Sequence, residues 1–573
     1  MAILLALFLA AGARAADVQS FAAARDNFVG QLAALRPEAG TGLGLSEYNA
    51  ELAAPTPDNI AAQVAYFESL EASAAQGAPG DIDREVMLTV ARSQLRELRD
   101  RKTYLEDPTW AQGPYSVLQQ QLAQAGQGSD LVADWEDIAG RVEGVPDYVR
   151  AVRENLRAGA SAGRRVYRGF VQKDGIDAAV EAAAFFRVEL LEKAREQLPP
   201  AEFARLEPRL RAAGAAAAAE YDAQADFLRA EILPRATDVF GIGEAEYAWK
   251  LKNELGISES PAELQAKGLA LAAGIRAKMD ALAATIDPSK SLPDIMAELR
   301  ADHPKDDAEL LATYRQVSER ARDFVVAHQL FAIPADYRIS VIETPAAFRS
   351  HIGSAAYFPA PPLQPGKKGV FLVTPSSGNA KKLAVHNFAK IPTTVVHEAF
   401  PGHDMQFWTF QRANVPPVRY MMDQAGFSYS LNVEGYAHYA EELMRQRGFF
   451  TPKEELMQLA SQLWRAMRIV LDVAVHARQI SLEDAARRLA DEAFLPQAIA
   501  EVEPYRYARQ PTQAITYLLG RLEIERLKED YRKAQGPAYD EARFHREFLG
   551  YGPILPALIR EAMLGPRPVP AGS

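Results

Sequence analysis

The sequence predicts a mainly α protein: a large multi-helix body enclosing a deep cleft, with a small β-sheet beside the helix that carries the chemistry. Three observations lead there. Apolar residues recur at helical spacing along most of the 573 residues. Strand-like patterning is confined to Arg338–Glu343 (RISVIE) and Gly369–Thr374 (GVFLVT), which flank a Pro-rich loop from Tyr357 to Pro365. No fixed-period repeat of the solenoid kind is present.

Taken in order, Met1 to Ala11 (MAILLALFLAA) is apolar and too short to span a bilayer, and Ala13-Arg14-Ala15 follows as an A-x-A cleavage site. Residues 1–15 read as a signal peptide, with a buried N-terminal helix as the alternative. A periplasmic or secreted protein is therefore expected, and with no cysteine behind the site no membrane anchor is expected. Residues 16–255 read as an N-terminal helical region. Strong helix formers fill Val180–Gln197 and the Ala-rich Arg209–Leu228, punctuated by Pro199-Pro200 and Leu233-Pro234.

Residues 256–573 read as the metal-binding catalytic region, packed with the first as one body. It opens at Ser258-Glu259-Ser260-Pro261-Ala262-Glu263, a polar cap followed by Pro and Glu that announces a helix to about Ala284. Helix resumes over Asp307–Gln329, and again from Thr393, with turns near Pro416-Pro417, Gly448 and Pro504 and a stop at Gly550–Pro556.

Composition narrows the chemistry. A net charge of -11 offers no clustered cationic surface for phosphates, so no nucleic-acid partner is expected. The absence of cysteine removes disulfides, thiolate metal sites and cysteine nucleophiles together, and leaves His and carboxylate to hold any transition metal.

That set occurs in Thr393 to Gln406 (TTVVHEAFPGHDMQ). A zinc hydrolase needs two neutral imidazoles on one side of the ion and a carboxylate beside the first. His397 and His403 are six apart, about 240° around a regular helix, and cannot meet on one metal unless the helix breaks. Pro401 removes a backbone donor and clashes with the carbonyl of His397, and Gly402 permits an irregular backbone, so a break is predicted there. The plain alternative is a helix ending at Pro401-Gly402 with two surface histidines. A third ligand is expected on a following helix, and Glu434 in Ser430–Glu442 (SLNVEGYAHYAEE) is the best candidate. His438, one turn on, reads as an alternative ligand, an outer partner or an exposed residue; Glu441 could support a ligating histidine.

Together HEAFPGHDMQ (His397–Gln406) and EGYAHYAEEL (Glu434–Leu443) resemble the bacterial domain of unknown function 885 family. Arg468–Asp472 with His476, Arg506-Tyr507 with Pro511, Gln513, Tyr517 and Gly520, and Phe544-His545 with Leu549–Leu555 extend the likeness. The resemblance implies a mainly helical zinc peptidase with a His, His, Glu metal set and a catalytic Glu after the first His. Asp404 stands where that family commonly has a second His, and Tyr436 where it commonly has Trp.

The expected reaction is hydrolysis of a peptide or small peptide-like substrate, with one Zn2+ per chain and Glu398 as general base. His476, Tyr507, Arg506 and Tyr517 are candidate donors to a developing oxyanion. Asp472 and His476, four apart, could form an oriented acid–imidazole pair, or a helix-surface pair. Arg506 could bind a substrate carboxylate, or form a structural salt bridge. The segment Gly369–Thr374 could pair an extended peptide along its edge, with Tyr357 as a wall, or simply cap the helices. His303, His328, His351, His386 and His545 read as structural or surface histidines. A zinc hydrolase of non-peptide amides, or a catalytically silent helical binding protein, is the alternative function.

Overall fold

The computed structural model describes residues 18–565, apart from 332, 335, 346–348, 350, 351 and 365. The segment read as a signal peptide lies outside the described residues, as does His351. The protein is mainly helical, and strand accounts for only 3% of it. The chain divides into two compact units, the first ending at Val239 and the second beginning at Phe240.

In the first unit the long helices α1 (Leu131–Ser161) and α2 (Pro200–Phe227) pack together. Pro200 opens α2, where its missing N–H costs nothing. The core is aromatic and aliphatic: Trp135, Phe185, Phe186 and Tyr221 are fully buried, each worth about 1.5–3 kcal/mol relative to exposure. The Ala-rich run lies within α2, where Ala213, Ala217, Ala218 and Ala225 are buried, so small side chains serve close helix packing.

In the second unit α3 (Pro261–Ile286) begins at a capping box: Ser260 Oγ accepts from Glu263 N–H, and Glu263 returns a carboxylate to Ser260 N–H at 2.8 Å. After α4 (Asp307–Ala327) come β1 (Ser340–Glu343), β2 (Ala355–Phe358) and β3 (Val370–Val373). Their order is β1-β3-β2, with β1 parallel and β2 antiparallel to β3. Two expectations change here. β2 was not legible, because Ala355-Ala356 carries little strand signal and Pro359 follows at once. The edge weighed along Gly369–Thr374 does not exist, since β3 is the central strand and is paired on both sides; the edge strands are β1 and β2.

Next come α5 (Ile391–Glu398), α6 (His403–Arg412), α7 (Ser428–Gln446), α8 (Pro452–His476), α9 (Glu503–Arg509) and α10 (Thr516–Gln535). The turn expected near Pro504 falls at Glu501-Val502, and Pro504 itself lies in the first turn of α9. Helices α7 and α10 touch through glycine. A Cβ on Gly435 would sit 2.6 Å from Gly520 Cα, and one on Gly520 would sit 2.0 Å from the Leu431 carbonyl. Only hydrogen fits at that crossing, which brings the first turn of α10 against the middle of α7. Among the described residues no helix is long and apolar enough to cross a membrane.

Candidate metal centre

Helix α5 stops at Glu398 and α6 starts at His403, so the break predicted at Pro401-Gly402 is present. Its cause at Gly402 is contact more than dihedral freedom: a Cβ there would lie 1.9 Å from the His397 carbonyl and 2.3 Å from that of Val396. The chain folds back on the last turn of α5, which a side chain would forbid. Tyr436 of α7 holds the fold, donating its hydroxyl to the Pro401 carbonyl at 3.0 Å.

This reversal brings His397 and His403 together, with ring centroids 4.8 Å apart and planes at 84°. Glu434 of α7 completes the group: one ligand atom from each of the three lies within 4.8 Å of the others. Glu434 Oε2 is 3.3 Å from His397 Nε2 and 3.5 Å from His403 Nε2. On the far side of each ring an acceptor fixes the tautomer. His397 Nδ1–H donates to Glu441 Oε1 at 2.8 Å, and His403 Nδ1–H faces Gln406 Oε1 at 3.5 Å. Gln406 is itself held by Asn432, and Asn432 by the Ile554 carbonyl.

With Nδ1 protonated, each neutral imidazole turns an Nε2 lone pair toward a carboxylate oxygen. At this range each Nε2 and the carboxylate oxygen need a proton or a shared cation between them. The same logic governs the titration. Burial pushes His397 down, but carboxylates on both nitrogens outweigh it and hold it up to about 10. Burial likewise pushes Glu434 up, yet the two imidazoles hold it well below the usual carboxylate range. Two imidazoles, each oriented from behind, and one carboxylate are a donor set that suits zinc.

Glu398 follows His397 directly and lies partly exposed beside the group. Its Oε2 accepts the backbone N–H of Tyr357 on the edge strand β2 at 2.9 Å. Burial raises its pKa, with the two histidines opposing. The Tyr357 ring stacks on His403 at 6.4 Å. Asp404 is fully buried and accepts from the Tyr337 hydroxyl at 2.9 Å; burial pushes it up to about 7, and hydrogen bonds from Tyr337 and Tyr357 partly offset this. Asp404 therefore anchors the tyrosine wall. His438 is fully buried with Nδ1 3.4 Å from Glu441 Oε2, so the reading of it as an exposed residue is corrected.

Of the four candidate donors, Tyr517 is the one brought to this group. Its ring stacks on His397 at 6.2 Å and 18°. His476 is not brought there: it is fully buried, donates Nε2–H to the Tyr507 carbonyl at 3.0 Å, and receives Ile242 N–H at Nδ1. Its expected partner Asp472 is 3.8 Å away and instead accepts from the Tyr247 hydroxyl at 2.6 Å and Thr512 N–H at 3.1 Å. Neither the surface pair nor the cleft-facing pair describes these two residues. Tyr507 is also fully buried, its hydroxyl 3.4 Å from Trp464 Nε1. Arg506 is paired with Glu503 at 2.9 Å and donates to Gln513, which is the salt-bridge alternative. The hydrogen bonds from Tyr357 N–H to Glu398 and from Gln406 to Asn432 escaped the sequence, because each joins segments distant along the chain.

Among curated proteins none matches this chain. Two solved structures share its fold, each described as a "putative lipoprotein". That from Shewanella oneidensis, also described as of unknown function, is 22% identical with a TM-score of 0.74, covering 95% of this chain and 100% of its own. That from Colwellia psychrerythraea is 18% identical with a TM-score of 0.80, covering 95% of this chain and 97% of its own. A family model matches residues 37–563, nearly the whole described chain, and the protein therefore belongs to the family described as "Bacterial protein of unknown function (DUF885)".

Proposed function

We propose that this chain is a zinc-dependent peptidase, exported from the cytoplasm, with His397, His403 and Glu434 as metal ligands and Glu398 as general base. The observation that carries the reading is the convergence of two imidazole Nε2 atoms, each ring oriented from behind, and a carboxylate, next to a partly exposed carboxyl held by an edge strand. A bound Zn2+ would act as a Lewis acid and bring the pKa of a coordinated water to about 7.

The protein's own part is proton handling and orientation. Tyr357 N–H occupies Glu398 Oε2, which leaves Oε1 to take the proton of the attacking water and return it to the leaving amine. A raised pKa suits this, since a base near the working pH both accepts and releases the proton. Tyr517, stacked on His397, is the candidate donor to the developing oxyanion. Export rests on the signal-peptide reading of residues 1–15 and on relatives described as lipoproteins.

Metal analysis of the purified chain is expected to give about one zinc per molecule. In Glu398→Gln the zinc stays, and hydrolysis of a quenched-peptide library drops by about 10²–10⁴-fold. A variant that keeps its activity removes Glu398 from the base role; a wild-type chain that binds zinc and cleaves nothing in the library favours a binding protein or a non-peptide amidase.

A further inference from the structure

Behind Tyr517 lies a group of arginines that the reaction above does not use. Arg468 of α8 is 5% exposed, and its guanidinium carbon sits 4.6 Å from the Tyr517 ring centroid and 4.2 Å from that of Trp464. Its Nη2 bonds Glu503 at 3.1 Å, while Nε and Nη1 have no hydrogen-bond partner among the described residues. Glu503 is not Arg468's alone, since Arg506 binds the same carboxylate at 2.9 and 3.2 Å. One turn before Arg468, Arg465 lies 5.6 Å from the same Tyr517 ring, also with an unpartnered Nε. The nearest carboxylate to it is Glu441 at 3.8 Å, which is already engaged with His397.

Three guanidiniums thus share Glu503 and a distant Glu441. Burying charged donors without partners is costly, and an arrangement of this kind points to an anion that completes it. Trp464, Arg465, Arg506 and Tyr517 are each partly exposed, so the group borders solvent beside Arg468. From His397 the way runs across the single ring of Tyr517, 6.2 Å and then 4.6 Å. The two legs bound the span at about three extended residues of about 3.3–3.6 Å each, which leaves room for one or two beyond the bond held at His397.

We infer that Arg468, with Arg465 beside it, forms a subsite for the free C-terminal carboxylate of a peptide, one or two residues beyond the bond aligned with His397 and Glu434. This deepens the peptidase reading and rests on it for the position of the scissile bond. The expected specificity is for peptides with an unblocked C-terminus, from which a single residue or a dipeptide is released. Arg506, with its fork already on Glu503, is not the residue that provides it.

The test uses the tripeptide acetyl-Ala-Ala-Phe as free acid and as C-terminal amide. Calorimetric binding is measured on the full chain carrying Glu398→Gln, which slows turnover, and hydrolysis is measured on the wild type. The acid is expected to bind about 10- to 100-fold more tightly than the amide, as losing a charge-assisted contact implies. Arg468→Met should abolish that preference, and Arg468→Lys, which keeps the charge, should restore part of it; circular dichroism checks the fold of both. Equal binding of acid and amide overturns the subsite without any variant, and a preference that survives Arg468→Met in a folded protein overturns the residue. Acid-selective binding with no cleavage of either peptide leaves the subsite standing and removes the peptidase reading.

Discussion

The two units solve the problem of burial in opposite ways. In the first, aromatic and aliphatic side chains fill the core, and the buried charged residues among those described are Asp83 and Arg141. In the second, Asp404, Glu441, Arg468, Asp472, Glu503, Arg521 and six histidines at positions 386, 397, 403, 438, 476 and 545 are all buried. All nine histidines of the chain lie in the second unit. Burying a polar group costs free energy unless a partner compensates, so a region that does it repeatedly spends stability on something other than folding. The contrast teaches where to look: an apolar unit is built to persist, a polar one to act.

The largest effect expected from this comparison is on stability in the first unit. Phe186 is 1% exposed and stacks on Tyr221 at 5.7 Å. Phe186→Ala should lower stability by about 3–5 kcal/mol, measured by urea unfolding, while zinc content and kcat/KM per folded molecule stay at wild-type values. A loss of zinc in this variant breaks the comparison.

Acid should separate the units next. Burial holds His386 down to about 3, and His438, His476 and His545 each down to about 4. These groups stay neutral when folded but gain protons when unfolded, so their contribution is complete above the unfolded pKa near 6.5 and is lost as pH falls toward 4. Asp404 and Asp472, pushed up to about 7, take up protons in the folded state and oppose this over the same window. Four histidines against these two aspartates and Glu398, which burial also raises, leave fewer than two protons favouring unfolding, a slope below roughly 3 kcal/mol per pH unit. The first unit has no histidine, and its raised carboxyls, Glu38 and Asp137, act in the stabilising direction. Hydrogen exchange at pH 7 and pH 5 should show peptides of residues 240–565 losing protection first; the reverse order would sink the account.

What could be read from the sequence follows the reach of each interaction. The break at Pro401-Gly402 depends on steric chemistry within a few residues and was legible; the grouping of His397, His403 and Glu434 was read from residue types across two helices, and the three do lie together, while ligation itself stays a proposal. The role of Glu441 was legible because it lies two turns from Glu434 on one helix. His476 was misread because a spacing of four from Asp472 looks alike on any helix; what occupies its ring is a backbone N–H 234 residues earlier and a carbonyl 31 residues later. Strand β2 was missed for the same reason: its four residues are held by β3 and by Glu398 more than by their own propensity.

The smallest effect is the most discriminating. Glu441 is fully buried and touches no substrate in the proposed reaction, yet it holds His397 Nδ1 at 2.8 Å. Glu441→Gln is close to isosteric and keeps an acceptor opposite Nδ1, so it removes charge while sparing shape. Loss of that charge makes His397 a poorer donor to a cation, and zinc affinity should fall by about 10- to 100-fold, read by competition with a chelator. Arg465 also loses its nearest carboxylate, at 3.8 Å, so some loss of thermal stability is expected in any case. The affinity change separates the two readings. If Glu441 only neutralises Arg465, the variant melts earlier but binds zinc as before, the pattern expected of Phe186→Ala; if it orients His397, zinc affinity falls even where the fold is intact.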